Sequence, residues 1–353
     1  MVGALNPARG RVRDLLRLSL VPGWGPRRIR SGLEDRGSVE ALVAAAARGP
    51  GVRAAADEAD RILDDCRRAG ITATALDGEA YPLRLRHLPD PPPVVFHRGD
   101  VSVLAEPGIV IVGSRRATAY GRRVAGELAA QAARAGRVVI SGLALGVDGA
   151  AHRGALEADG VTAGVLGSGV DRPSPRSHRP LLVDVLIRGA VLSEHPPGTP
   201  PRAHHFPRRN RLLAALADQV VVVEAAARSG ALITARLALE LGREVWAVPG
   251  SVFSPVSIGT HRLLEDGARP VTDLEAWSAS LGARTGNGPA APSAADSDGA
   301  ELWALLADGP LGLEALQAAS GLAASRVLST LSRLELEGWV RRTSGPSFAR
   351  RVA

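Results

Sequence analysis

A chain of 353 residues exceeds one ordinary compact domain, and 45% hydrophobic content with only 3% aromatics calls for Val/Leu/Ala-rich cores, the kind that pack helices onto buried parallel strands. The net charge of +7 favours an acidic partner such as nucleic acid, although all 43 basic residues are arginine, so no arginine is informative merely for not being lysine. The missing lysine excludes a Walker A loop and a pyridoxal-phosphate Schiff base, while the single cysteine, Cys66, excludes a disulfide framework and a thiolate metal cluster and points to a reducing, cytoplasmic compartment.

Residues 1–75 predict short amphipathic helices, with Leu15, Leu16, Leu20, Ile29 and Leu33 near helical spacing. The turn Val21-Pro22-Gly23-Trp24-Gly25-Pro26 resembles a helix-hairpin-helix, whose glycine amides hold a phosphate; a plain helical turn fits equally well. Prolines keep residues 77–108 extended. From Gly108, short apolar runs alternate with helices. Strands are expected at Ile109–Val112, Val138–Ile140, Thr162–Leu166, Ala190–Ser193, Val220–Glu224 and Glu244–Val248. Helices are expected at Tyr120–Ala135, around Asp148–Leu156, and at Leu181–Ile187, Asn210–Ala217 and Ser229–Leu241. That alternation predicts an α/β fold with a parallel, doubly wound sheet. Residues 279–299 read as a linker of small and polar residues. Helices at Glu301–Leu306, Leu311–Ala319 and Ala323–Glu337, then a hairpin around Gly345-Pro346, match a winged-helix pattern. The expected organisation is a helical domain over 1–75, a core over 76–278, the linker, and a winged helix over 300–353. No apolar run reaches the length of a membrane span, so no membrane partner is expected.

In a doubly wound sheet, ligands sit beyond the C-terminal ends of the strands. Gly113-Ser114-Arg115-Arg116 follows the first core strand, with one glycine for the turn and an arginine projected at a helix start. A phosphate seat and a tight turn with a solvated arginine both fit it. Gly142 and Gly146 frame a second loop, in which Asp148 fits a helix-start acceptor and His152 a structural hydrogen bond. The third strand leads to Arg172, Arg176 and Arg179. The stretch from Pro200 to Arg211 carries Arg202, Arg208, Arg209 and Arg211 around Phe206 with no acid. Such a set fits phosphate neutralisation with stacking on an unpaired base. Arg228-Ser229-Gly230 with Thr234 is a further anion seat. Glu224 fits an organising acceptor better than a catalytic carboxylate.

With these segments in hand, the chain resembles the DNA-processing protein A (DprA/Smf) family. Matching segments are Ile111-Val112-Gly113-Ser114-Arg115 with Tyr120-Gly121, Ser141-Gly142-Leu143-Ala144 through Asp148 to His152, Phe206-Pro207-x-Arg209-Asn210-Arg211, Ser229-Gly230-x-Leu232-Ile233-Thr234, and Ala247-Val248-Pro249-Gly250. The resemblance spans roughly residues 80–272. It implies an extended Rossmann-like core, a mostly parallel sheet flanked by a small helical domain and a winged helix. It implies a homodimer that binds single-stranded DNA without sequence preference and hands it to the RecA recombinase in natural transformation or recombination, with no cofactor, metal or catalysis. Carried across, the DNA contacts fall on Gly113, Ser114, Arg115, Arg176, Phe206, Arg209, Asn210 and Arg211. The chain departs from the family at Ser174-Pro175, where Tyr-Pro is usual, and at His261, where asparagine is usual.

The main alternative is a Rossmann-fold nucleotide-cleaving enzyme of the phosphoribohydrolase type. Its Pro-Gly-Gly-x-Gly-Thr loop is absent, since Pro249-Gly250-Ser251 stops short. A duplex-binding regulator led by the winged helix would use Ser325, Arg326, Ser329, Thr330 and Arg333, but the larger basic surface lies in the core. A nicotinamide oxidoreductase is disfavoured because the glycine loops miss the dinucleotide fingerprint.

Overall fold

The computed structural model describes residues 7–46, 52–281, 297–306, 311–336, 340–342 and 347–350, and the chain divides into two units, Met1–Gly282 and Ala283–Ala353. The expected linker lies largely outside the described residues, as does the turn at Gly345-Pro346.

In the first unit four helices come first: α1 (Pro7–Leu20), α2 (Pro26–Arg36), α3 (Val39–Ala46) and α4 (Val52–Arg68). Then follow β1 (Thr72–Ala75), β2 (Val94–Gly99), β3 (Gly108–Val112), α5 (Ala119–Arg134), β4 (Val138–Ser141), α6 (Val147–Glu157), β5 (Thr162–Leu166), α7 (Arg179–Arg188) and β6 (Ala190–Ser193). The unit ends with α8 (His205–Leu216), β7 (Gln219–Val222), α9 (Gly230–Glu240), β8 (Glu244–Ala247), α10 (Ile258–Glu265), β9 (Arg269–Pro270) and α11 (Leu274–Ser280).

The nine strands form one sheet in the order β1-β2-β6-β5-β4-β3-β7-β8-β9. From β6 to β9 every pairing is parallel, while β2 joins β6, and β1 joins β2, antiparallel. The antiparallel edge falls in and beside the proline-rich stretch that the sequence marks only as extended. This is the extended, mostly parallel Rossmann-like fold. Strand side chains alternate faces and both faces are apolar. Ile109 and Ile111 pack under α5, α6 and α11, whereas Val110 and Val112 pack under α8 and α9. The N-terminal helices share a third cluster with Val94, Phe96, Leu166 and Leu182, so they close the far end of the same sheet. Among the described residues no helix is long and apolar enough to cross a membrane.

Strand order reverses at β3, since β4 lies on one side and β7 on the other. The helices leaving β3 and β7 cover opposite faces, so a crevice opens between their loops. One boundary differs from the sequence expectation in a way that matters there. The helix expected from Asn210 begins at His205, because Pro207 falls in the first turn, where its missing N–H removes no helical hydrogen bond. Phe206 to Arg211 are therefore helical, and their side chains part to different sides.

The second unit comprises α12 (Ser297–Leu305), β10 (Leu311–Gly312), α13 (Leu313–Ser320), α14 (Ala324–Leu336), β11 (Val340–Arg342) and β12 (Ser347–Arg350), with the sheet order β10-β12-β11. It is a winged helix around Leu302, Leu316, Val327, Leu331 and Phe348. Gly321 ends α13 at φ +66°, a left-handed turn that a side chain disfavours. On α14, Arg326 is paired with Asp298 at 2.5 Å and Thr330 is buried, which withdraws two of the five side chains expected on a recognition face.

Candidate nucleic-acid interface

The loop after β3 is fixed by its neighbours before any ligand arrives. A Cβ on Gly113 would stand 2.7 Å from Val147 Cγ2 and 2.9 Å from the Glu224 carbonyl, so only glycine passes here. The Ser114 amide donates to the Glu224 carbonyl at 2.7 Å, and the Val147 amide donates to the Ser114 carbonyl at 3.2 Å. The Glu224 carboxylate accepts from the Thr118 amide at 2.9 Å and from its hydroxyl at 2.5 Å. Thr118 Oγ1 in turn caps α5 by accepting from the Gly121 amide at 3.0 Å. Glu224 thus spends both carboxylate oxygens on organising this turn. Arg115 and Arg116 are left at its tip, exposed.

Across the crevice stands the first turn of α8, whose helical phase sorts the expected residues. Phe206, Arg209 and Asn210 face the crevice. The Arg115 guanidinium lies 4.4 Å over the Phe206 ring, a cation–π contact at the rim. Arg209 goes inward: its Nη1 donates to the Val165 carbonyl, and its guanidinium lies against Gly142, where a Cβ would fall 2.2 Å from Nη1. Burial holds the Arg209 group down to about 10, opposed by attraction from Asp148. Burial also raises the Asp148 carboxyl, opposed chiefly by Arg209. Both groups are buried, and each is the other's main opposite charge. Asn210 Nδ2 donates to the Gly230 carbonyl at 3.0 Å and ties α8 to α9. Arg211 turns away from the crevice, with Nη2 2.6 Å from Glu194 Oε2 and Nε 3.3 Å from Asp90 Oδ2.

The crevice is about 840 Å³, lined by the tips after β3 and β7, the Ala144–Asp148 segment and the N-termini of α8 and α9. Of the eight residues expected to contact DNA, Gly113, Ser114, Arg115, Phe206, Arg209 and Asn210 line it. Arg176 is exposed two residues past the lining Ser174, and Arg211 lies outside. Arg209 and Arg211 are only 4% and 7% exposed, so neither guanidinium is free. Arg116 lines the crevice, while Arg202 and Arg228 flank lining residues, and all three are exposed. Together with Arg115 and Arg176 they have no carboxylate partner among the described residues. The sequence did carry a signal for them: each follows a strand's C-terminal end with no acid within three residues.

His152 is structural. Thr162 Oγ1 gives its proton to the Val139 carbonyl at 2.7 Å, so it accepts from His152 Nδ1 at 2.7 Å, which fixes that tautomer. Burial, then the neighbouring His178, Arg153 and Arg209, hold His152 down to about 3, far from acid–base use at neutral pH. At the N-terminal hairpin, Arg28 Nη1 donates to the Gly23 carbonyl at 3.3 Å and its guanidinium lies 4.5 Å over Trp24.

The sequence profile of DNA recombination-mediator protein A matches residues 72–282, and that of the DprA winged helix domain matches residues 287–346. Over 220 residues the chain is 42% identical to the DNA processing protein DprA of Bacillus subtilis, covering 62% of this chain and 72% of that one. The X-ray structure of DNA processing protein A from Streptococcus pneumoniae superposes with a TM-score of 0.64 at 32% identity, covering 77% of this chain and 96% of that one. The corresponding protein of Helicobacter pylori superposes with a TM-score of 0.55 at 30% identity, covering 60% and 95%.

Proposed function

The chain belongs to the DNA recombination-mediator protein A family, and from that premise we propose that its crevice seats single-stranded DNA without sequence preference. The observation that carries this proposal is the Arg115 guanidinium stacked 4.4 Å over Phe206, in a crevice fringed by four further exposed arginines. Guanidinium groups and loop amides neutralise phosphates, which are the same at every nucleotide. An aromatic ring and a guanidinium plane offer stacking faces, and only an unpaired base has a free face to return. The lining therefore favours a sugar-phosphate chain with its bases open. The Helicobacter pylori relative has a described single-stranded DNA binding mode, which supports the same use here.

Within this proposal Gly113, Ser114, Arg115, Arg176 and Phe206 contact the strand. Arg209, Asn210 and Arg211 act one step back, holding the first turns of α8 against β5, α9 and the β6 end. The chain works by binding rather than by catalysis, as a cytoplasmic homodimer that passes its strand to the RecA recombinase. The acids at the crevice are already engaged, Glu224 with Thr118 and Asp148 buried near Arg209 and facing the Ala144 amide at 3.4 Å. The test is a gel-shift comparison of oligo(dT) with a duplex of equal length, using wild type and Arg115→Ala, with a nucleotide-hydrolysis assay alongside. Preference for oligo(dT), lost with Arg115, is expected. Equal affinity for duplex, or turnover of a nucleotide, would sink the proposal.

A further inference from the structure

We propose that the loop joining β8 to α10 carries a second base-stacking station, centred on Phe253, for the strand leaving the crevice. The inference rests on the single-stranded DNA proposal above and extends its path.

Phe253 is 94% exposed and Val252 77%, the two most exposed large apolar side chains among the described residues. Frayed chain would make that unremarkable, but this loop is braced throughout. The Ala225 amide donates to the Val256 carbonyl at 2.7 Å, and Ser257 and Ser254 amides donate back to Ser254 and Ser251 carbonyls, each at 3.0 Å. The Tyr120 hydroxyl donates to the Pro249 carbonyl at 3.2 Å. His261, the residue that stands where the family usually has asparagine, sets its Nε2 3.1 Å from the Gly250 carbonyl. A loop held at both ends and in its middle presents a phenylalanine to water in a chain with only four. Tyr120, at its foot, is itself 53% exposed.

The loop adjoins the crevice directly. Val256 lines it, and Phe253 is three residues away, within roughly 11 Å along the chain. The same crevice carries the exposed Arg116, and Arg228 precedes its lining residue Ser229, in the tips after β3 and β7. An apolar ring on a loop that joins a crevice with unpaired arginines suits a partner that is anionic along its backbone and flat and apolar along its bases. A second copy docking ring to ring would instead bring like-charged tips together, which disfavours that occupant.

The experiment uses the full chain with fluorescein-labelled oligo(dT) of graded length and an abasic oligonucleotide of the long length. Phe253→Ala should weaken long oligo(dT) by about five-fold or more, as loss of one stacked base does. It should leave the shortest bound length and the abasic strand unchanged, with wild-type sedimentation. Phe253→Trp should restore affinity, and its added fluorescence should be quenched at saturation with oligo(dT). Unchanged affinity at every length, or an altered sedimentation coefficient that accounts for any loss, overturns the station. Arg115→Ala separates the two ideas. If it abolishes binding while Phe253→Ala does nothing, only the station fails; if neither matters, the crevice fails too.

Discussion

Two arginines that look equivalent in sequence should fail in opposite ways when truncated. Arg209→Ala removes a charge-assisted donor from the Val165 carbonyl and leaves Asp148 buried without its main counter-charge. Losing one partner of a buried charge pair costs ~3–5 kcal/mol. That is a large share of a typical ~5–15 kcal/mol total stability. The corresponding drop in melting temperature is roughly 6–20 °C for a unit of this size. Arg115→Ala removes an exposed side chain whose contact is the face of Phe206, so its effect on stability stays within about 0.5 kcal/mol. The assay pairs thermal melts with fluorescence anisotropy on oligo(dT). Arg209→Ala should melt early, and adding Asp148→Ala should return part of the loss because the stranded charge is gone. Arg115→Ala should melt with wild type and lose affinity. Should Arg209→Ala keep the wild-type melting temperature and lose only DNA, its guanidinium is a contact after all and the inward assignment is wrong.

Oligo(dT) affinity should fall with salt with a log–log slope of about −3.5 if the five exposed arginines each meet a phosphate, and Arg115→Ala should reduce it to about −2.8. Gly146→Ala should both destabilise the unit and weaken oligo(dT) at least ten-fold: φ is +75° and the new Cβ would meet the Ser114 carbonyl at 2.2 Å, displacing the Arg115 turn. Because His152 is held down to about 3 in the fold against about 6.5 unfolded, stability is full above pH ~6.5 and drains as the pH falls toward 3, by ~1.4 kcal/mol per unit for that proton. Denaturant melts at pH 7, 6 and 5 should show a slope that His152→Gln lowers by about one proton. Glu224→Ala should free Thr118, lower the melting temperature and weaken oligo(dT) without changing any nucleotide-hydrolysis signal.

The sheet was legible because its signal is redundant. Each core strand is a short apolar run, β3, β4 and β5 are each followed at once by a glycine (Gly113, Gly142 and Gly167), and β3 to β8 fall within a few residues of the expected ranges. The antiparallel edge was not legible, because β1 and β2 are recognisable only through the pairing of Thr74 with Val95 and of Phe96 with Ser193, partners far apart in sequence. In the crevice, the sequence located the loops but not the direction of their side chains. Arg208, Arg209 and Arg211 are alike as letters. What separates them is that α8 starts at His205, which turns Arg209 toward Val165 and Arg211 toward Glu194. On a helix, Arg209 and Arg211 point roughly 200° apart, so a helix start placed five residues late leaves Arg208 and Arg209 outside it and hides which charges face solvent.

On the proposed function, that division is how an all-arginine chain offers an anion site without a lysine. A guanidinium satisfied by a carbonyl or a carboxylate adds little to the field outside, whereas an unpaired one adds a full charge. Arg84 with Asp218, Arg211 with Glu194 and Arg209 beside Asp148 are of the first kind; the last two hold α8 in place beside the crevice, while Asp218 sits at the other end of the sheet, before β7. Arg115, Arg116, Arg176, Arg202 and Arg228 are of the second kind, and they stand where four strand-tip segments and the start of α8 converge. Rigid walls keep the free guanidinium groups from collapsing onto internal acids, which already have partners. On that proposal, binding strength depends on the rim and its persistence on the floor, and a substitution in either layer reports on that layer alone only when affinity and melting are measured on the same protein.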